Sequence, residues 1–270
     1  MDYIILCQAR TGSNLLRQLL RKHGDIDSFF SEPLREFPDR ENYIKIAEIR
    51  TGHKSSIKYN LSDLDNIDIY FNILNSLKQR PVVGCKIFFE HLDRNIDNFN
   101  LINFIQKNNT KIILLERTNK FLQFLSNEKA IKSRVYYLDH HGIRSPRPEN
   151  IKIHLNINEY YKYLAKFTTE YINQEKEFKQ YNIPYIKIYY EDLISESQLS
   201  IMKDIYKLIL GSLDETRIKQ KPAKLSLVQN IYTLEEQIEN YSEVVDQLKD
   251  DPHFMAALER DKCKSPYGSY

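Results

Sequence analysis

The first twenty residues, MDYIILCQARTGSNLLRQLL, constrain this chain more than any other stretch. Tyr3 to Cys7 is a short apolar run, a polar turn is centred on Gly12, and Leu15, Leu16, Leu19 and Leu20 recur at helical spacing. That order predicts a buried strand, a tight turn and the start of an amphipathic helix. Such a unit aims several backbone N–H groups and the positive end of a helix at one point, which suits a bound phosphate or sulfate. The groups that hold metal-bound ATP are missing. Aligned on Gly12, Cys7 stands at the first glycine position of a Walker A loop, Ser13 at the lysine and Asn14 at the magnesium-binding Ser/Thr.

Later segments extend the pattern. VVGCKIFF after Pro81 and KIILL at 111–115 predict buried strands, and YIKIYY at 185–190 predicts a further strand. Helical patterns cover 66–79, 99–107, 119–137 and 158–181. Strands separated by helices imply parallel βαβ units, hence an α/β fold with ligands bound off the C-terminal strand ends. Residues 24–60 are polar, contain Pro33 and Pro38, and predict irregular structure. Residues 139–157 read as a long loop. Ser195 with Gln198, and Thr233 with Glu236, have the spacing of capping boxes for helices through Leu210 and Lys249. No repeat and no Gly/Ser-rich linker divides the chain, so a single domain over 1–270 is expected.

Composition narrows the partners. A net charge of +2 with no long Lys/Arg run argues against nucleic acid. Cys7, Cys85 and Cys263 are widely spaced with no CxxC pair, which points to a reducing compartment rather than a disulfide framework or zinc site. His140, His141 and His154 lack ligand spacing, so no metal is expected. With Arg144 and Arg147 they read as a basic loop. No run approaches the ~18 apolar residues of a membrane span, and no signal-peptide pattern opens the chain. A cytoplasmic location and no transmembrane segment are expected.

The loop Gln8-Ala9-Arg10-Thr11-Gly12-Ser13-Asn14-Leu15-Leu16 resembles the R-[ST]-G-[ST]-x-L-L opening of sulfotransferases, especially the bacterial carbohydrate type. Three further segments resemble the same family. Arg117 ends the KIILLER strand and Ser126 follows nine residues later; Lys219-Gln220-Lys221-Pro222 leads to Ile238-Glu239-Asn240-Tyr241; and Tyr190-Glu191-Asp192-Leu193 follows a strand. The resemblance implies a P-loop NTPase-like three-layer sandwich with a central, mostly parallel sheet flanked by helices. It also implies 3′-phosphoadenosine-5′-phosphosulfate (PAPS) as donor. Arg10, Thr11, Gly12, Ser13, Asn14 and Leu15 would hold the 5′-phosphosulfate, Arg10 as a planar cationic fork. Arg117, Ser126, Lys219 and Lys221 would hold the 3′-phosphate, with Arg134 close to the same region. The Tyr190–Leu193 match reads as mainly structural.

Sulfuryl transfer to a hydroxyl also needs charge stabilisation and a base. Lys86, near the end of VVGCKIFF, is a candidate for the first. For the base the resemblance favours Glu32 in Phe29-Phe30-Ser31-Glu32-Pro33-Leu34, whose apolar flanks suit a raised carboxyl pKa. His91 is the rival, because other branches of the family use a histidine. The acceptor implied is a small molecule or carbohydrate, with selectivity residing in 40–80 and 139–180. Two other readings fit the loop: a degenerate P-loop kinase, or a nucleotide-binding module without activity.

Overall fold

A computed structural model describes residues 1–30, 34, 39–93, 100–133, 151–218 and 232–262. The chain divides into two compact units, Met1–Glu116 with Glu170–Ala223, and Arg117–Thr169 with Lys224–Tyr270.

The first unit is built on five parallel strands, β1 (Tyr3–Cys7), β2 (Ile26–Phe30), β3 (Val82–Phe88), β4 (Lys111–Glu116) and β5 (Tyr185–Tyr189), in the order β2-β3-β1-β4-β5. β1 lies at the centre, with Tyr3 opposite Gly84 on one side and Lys111 on the other. Every β1 residue is buried, which is why the run reads as continuously apolar rather than alternating. The strand period divides those side chains between two cores. Ile4 and Leu6 join one with Ile44, Leu74, Phe104 and Phe178, whereas Tyr3, Ile5 and Cys7 join the other with Leu16, Leu19 and Ile205.

The helices sort accordingly. The first core is covered by α2 (Asp39–Thr51), α3 (Ile67–Ser76), α5 (Leu101–Asn108) and the part of α7 (Ile157–Gln180) from Glu170 onward. The second is covered by α1 (Ser13–Leu20) and α8 (Gln198–Leu210). A five-residue helix, α4 (Phe89–Asp93), follows β3 directly. Helices on both faces of an all-parallel sheet make the expected three-layer α/β sandwich. The chain moves from β1 outward to β2, then back past β1 to β4, so α1 falls on the face opposite to α2, α3 and α5, as right-handed crossovers require. The C-terminal end of β1 is therefore the topological switch point.

Residues 24–60 are more ordered than their polarity predicts. β2 carries Asp27 and Ser28 inside a strand, where Arg21 pairs with Asp27 at 3.1 Å and Arg17 donates to the Ser28 hydroxyl and carbonyl at 3.2 and 2.9 Å. Arginines from α1 satisfy the polar positions that obscure the strand. α2 buries Ile44 and Ala47 but leaves Ile49 80% exposed, so its apolar positions do not mark one stripe. The capping box expected at Ser195 is not formed. Ser197 is the N-cap of α8, and the Ser195 hydroxyl instead accepts from the Ser197 N–H at 3.2 Å.

In the second unit, Phe121, Phe124 and Leu125 of α6 (Lys120–Ser133) form a core with Ile153, Leu155, Tyr160, Leu234 and Phe254. The capping box at Thr233 is present, with Thr233 Oγ1 accepting from the Glu236 N–H at 3.2 Å and Glu236 accepting from the Thr233 N–H at 2.7 Å. The helix it opens, α9 (Leu234–Gln237), stops after four residues rather than running to Lys249. There Ile238 bridges to Ile153, and the Asn240 side chain accepts from the Leu155 N–H and donates to the Leu155 carbonyl at 2.9 and 3.0 Å. These bonds replace helical ones before α10 (Tyr241–Leu248) begins; α11 (Pro252–Lys262) completes the unit.

Candidate active site

The loop after β1 is held by side-chain hydroxyls. The Gln8 N–H donates to the Tyr171 hydroxyl at 3.1 Å, and that hydroxyl donates to the Leu115 carbonyl at 2.7 Å. Thr11 Oγ1 donates to the Gln8 carbonyl at 2.8 Å, closing the turn from within. Arg10 has a φ of 64°, left-handed for a residue with a side chain. Such a backbone costs about 1–2 kcal/mol and persists only where its surroundings enforce it.

Gly12 has a φ of 83° and is the N-cap of α1. A side chain there would be strained and would also overlap the Tyr190 ring. The Leu15 and Leu16 N–H groups bond back to the Gly12 carbonyl at 2.9 and 3.2 Å. The Ser13 and Asn14 N–H groups precede the first helical bonds, and Gly12 has no side chain with which to cap them. These two N–H groups stand at the start of α1, next to the positive end of the helix.

Lys86 brings a cation to the same place. It sits on β3 opposite Ile5 and is buried, with 4% of its surface exposed. Its Nζ donates to Asn14 Oδ1 at 3.2 Å and lies 4.7 Å from the centre of the Phe88 ring. A buried ammonium is expensive unless it is matched by opposite charge or hydrogen bonds. At the positive end of α1 the helix dipole disfavours it by about 0.3–1 kcal/mol more when no anion is present. Cation, helix end and amides together are complementary to phosphate or sulfate oxygens.

The other expected site residues are placed as follows. His91 is buried in α4, its ring centre 5.3 Å from that of Phe88 and its Nε2 4.0 Å from Glu90 Oε1. Arg117 and Ser126 belong to the second unit, Arg117 directly after β4 in sequence and Ser126 within α6, both half-buried and both engaged in interactions. Glu32, Lys219 and Lys221 lie outside the described residues, as do Arg134, His140, His141, Arg144, Arg147 and Cys263. Among the described residues no three His, Cys, Asp or Glu side chains cluster in a way that would hold a metal. His154 is exposed. Cys7 and Cys85 are buried thiols in the sheet, and burial pushes the Cys85 thiol up to about 12.

One of the two residues that touch the loop, Tyr171, escaped sequence reasoning. Tyr171 carries only an apolar helical spacing, which marks packing and says nothing about its hydroxyl. Tyr190 does lie in a family-like segment, and its ring occupies the space a side chain at Gly12 would need.

No helix among the described residues is long and apolar enough to cross a membrane. A family model described as Stf0 sulphotransferase matches residues 2–243, a span that includes the β1 loop, Lys86, Arg117 and Ser126. No curated protein matches the chain.

Proposed function

We propose that this chain, which belongs to the Stf0 sulphotransferase family and is a sulfotransferase, takes its sulfuryl group from PAPS and transfers it in line to a hydroxyl of a carbohydrate or glycolipid-like acceptor. The observation that carries this reading is the buried Lys86 ammonium at the N-terminus of α1, hydrogen-bonded to Asn14. It supplies, from a neighbouring strand, the positive charge that the loop itself lacks at the Walker lysine position. The donor's 5′-phosphosulfate needs amides and cations, which the loop and Lys86 supply in this reading.

In this reading Arg10, Thr11, Gly12, Ser13, Asn14 and Leu15 bind the phosphosulfate, while Arg10 and Lys86 stabilise charge on the sulfuryl oxygens and the leaving phosphate. The bond between sulfur and the bridging phosphate oxygen breaks as the acceptor oxygen bonds to sulfur. The acceptor proton passes to Glu32, with His91 as the alternative base. Glu32 follows β2 by two residues in sequence. Arg117, Ser126, Lys219 and Lys221 bind the 3′-phosphate. Residues 1–270 act as one catalytic domain, and the buried thiols suit a cytoplasmic setting.

Calorimetric titration with 3′,5′-bisphosphoadenosine, in the absence of magnesium, tests the donor. Saturable binding is expected. Binding of magnesium–ATP without binding of bisphosphoadenosine would overturn the reading in favour of a degenerate kinase. Radiolabelled donor with a panel of sugars and glycolipids then identifies the acceptor.

A further inference from the structure

In a parallel sheet the ladder bonds are evenly spaced, and β1 pairs with β4 from Tyr3↔Lys111 to Cys7↔Leu115. The bond that would come next joins the Gln8 N–H to the Leu115 carbonyl. Both groups are instead taken by one hydroxyl. Tyr171 Oη accepts from Gln8 at 3.1 Å and donates to Leu115 at 2.7 Å, so two bonds in series stand where the ladder has one of about 2.9 Å. The opening is local. On the other side of β4 the ladder continues, with the Tyr190 N–H donating to the Glu116 carbonyl at 2.8 Å.

The Tyr171 side chain is itself fixed. It is 2% exposed, and its ring meets that of Phe89, the residue after β3, edge to face at 4.9 Å. One side chain on α7 thus touches the ends of all three central strands at the switch point. A phenylalanine would fill the same volume but leave Gln8 and Leu115 to pair directly, drawing the first residue of the loop onto β4.

We infer that Tyr171 is a positioning residue for sulfuryl transfer: its hydroxyl ends the β1–β4 ladder and holds the anion loop open. The functional half of this inference rests on the reading that the loop binds the donor. The structural half does not.

The test compares Tyr171→Phe with Tyr206→Phe, a control that removes another buried hydroxyl, bonded to the Leu19 carbonyl at 3.0 Å away from the strand ends. Amide hydrogen exchange needs no ligand. Amides of residues 8–16 are expected to exchange with altered protection in Tyr171→Phe, changed about tenfold or more, and to be unchanged in the control. Bisphosphoadenosine affinity should fall about tenfold in Tyr171→Phe alone, with the KM for acceptor held. Unaltered exchange at residues 8–16, or an equal effect in Tyr206→Phe, would overturn the inference. If exchange changes but the wild type does not bind bisphosphoadenosine, the wedge stands and the donor reading fails. Phe89→Leu keeps the hydroxyl but loosens its seat. It should shift the same amides to a smaller degree, and gives the answer if Tyr171→Phe does not fold.

Discussion

Lys86 Nζ lies 3.2 Å from Asn14 Oδ1, so a lysine from the middle of the sheet is tied to the first turn of the helix that follows the anion loop. The aliphatic stem runs through a buried environment and the head is delivered to the helix end, a division of labour that long cationic side chains allow. The Asn14 carboxamide accepts a hydrogen bond from the ammonium and so helps to orient it at the helix end.

Lys86→Met should therefore separate function from stability. It keeps an unbranched apolar stem and removes only the charge. kcat/KM is expected to fall by about 10²–10³-fold, the usual scale for loss of one group that stabilises developing charge. The unfolding midpoint should hold or rise, since a buried cation is exchanged for an apolar group. Steady-state kinetics and thermal denaturation on one preparation check both parts. Full activity in the variant would remove Lys86 from the site.

Glu32→Gln should abolish proton removal while sparing donor capture. A fall in kcat of about 10²–10⁴-fold with unchanged bisphosphoadenosine affinity is expected. His91→Gln should leave kcat within a few-fold. The reverse pattern, with loss confined to the histidine variant, would assign the base to His91.

Gly12→Ala combines two penalties. The left-handed backbone costs about 1–2 kcal/mol for a residue with a Cβ, and displacement of the Tyr190 ring adds about 1–3 kcal/mol. Denaturant unfolding should show both in the single variant. In a Tyr190→Ala background the second penalty should disappear, giving a clear departure from additivity. Equal cost in both backgrounds would mean that the ring yields freely.

His23 should make stability depend on pH. Burial holds its imidazole below the ordinary value of 6.5, a shift that Asp25 opposes, Arg217 reinforces and Asp214 opposes. Its Nδ1 accepts from the Asp25 N–H at 3.3 Å, its ring packs on Tyr206, and the Asp214 backbone faces it but does not outweigh burial. A proton added to the folded state would have to sit in that enclosed setting. The unfolded chain therefore binds more protons below pH 6.5, and stability falls as pH drops from there toward the lower folded value. The slope from this one group is at most about 1.4 kcal/mol per pH unit. Urea unfolding at about pH 7.5 and 5.5 should show the loss in the wild type and a flatter response in His23→Gln. Identical responses would mean that His23 does not carry it.

Much of the scaffold can be read from local pattern. β1, β3 and β4 lie where apolar runs place them, because a strand buried on both faces leaves no polar alternation to confuse it, and β5, a partly buried edge strand, is marked by its isoleucines and tyrosines. β2 and α2 do not, since the polar residues of β2 are answered by Arg17 and Arg21 from another element, and the buried side of α2 is narrow. The Ile238–Asn240 break is equally hidden. Its helical bonds are exchanged for bonds to residues 153–155, more than eighty positions away.

The α/β alternation, the anion loop and the family resemblance are legible in the chain's local pattern, because periodicity, turn residues and motif spacing are local. What surrounds that loop comes only from long-range packing. Lys86 meets Asn14 across 72 positions, and Tyr171 meets Gln8 across 163. No local propensity encodes such meetings. They follow from burial summed over the whole sheet and its two cores, which sets strand order and register, and with them the few polar atoms that converge at the end of β1.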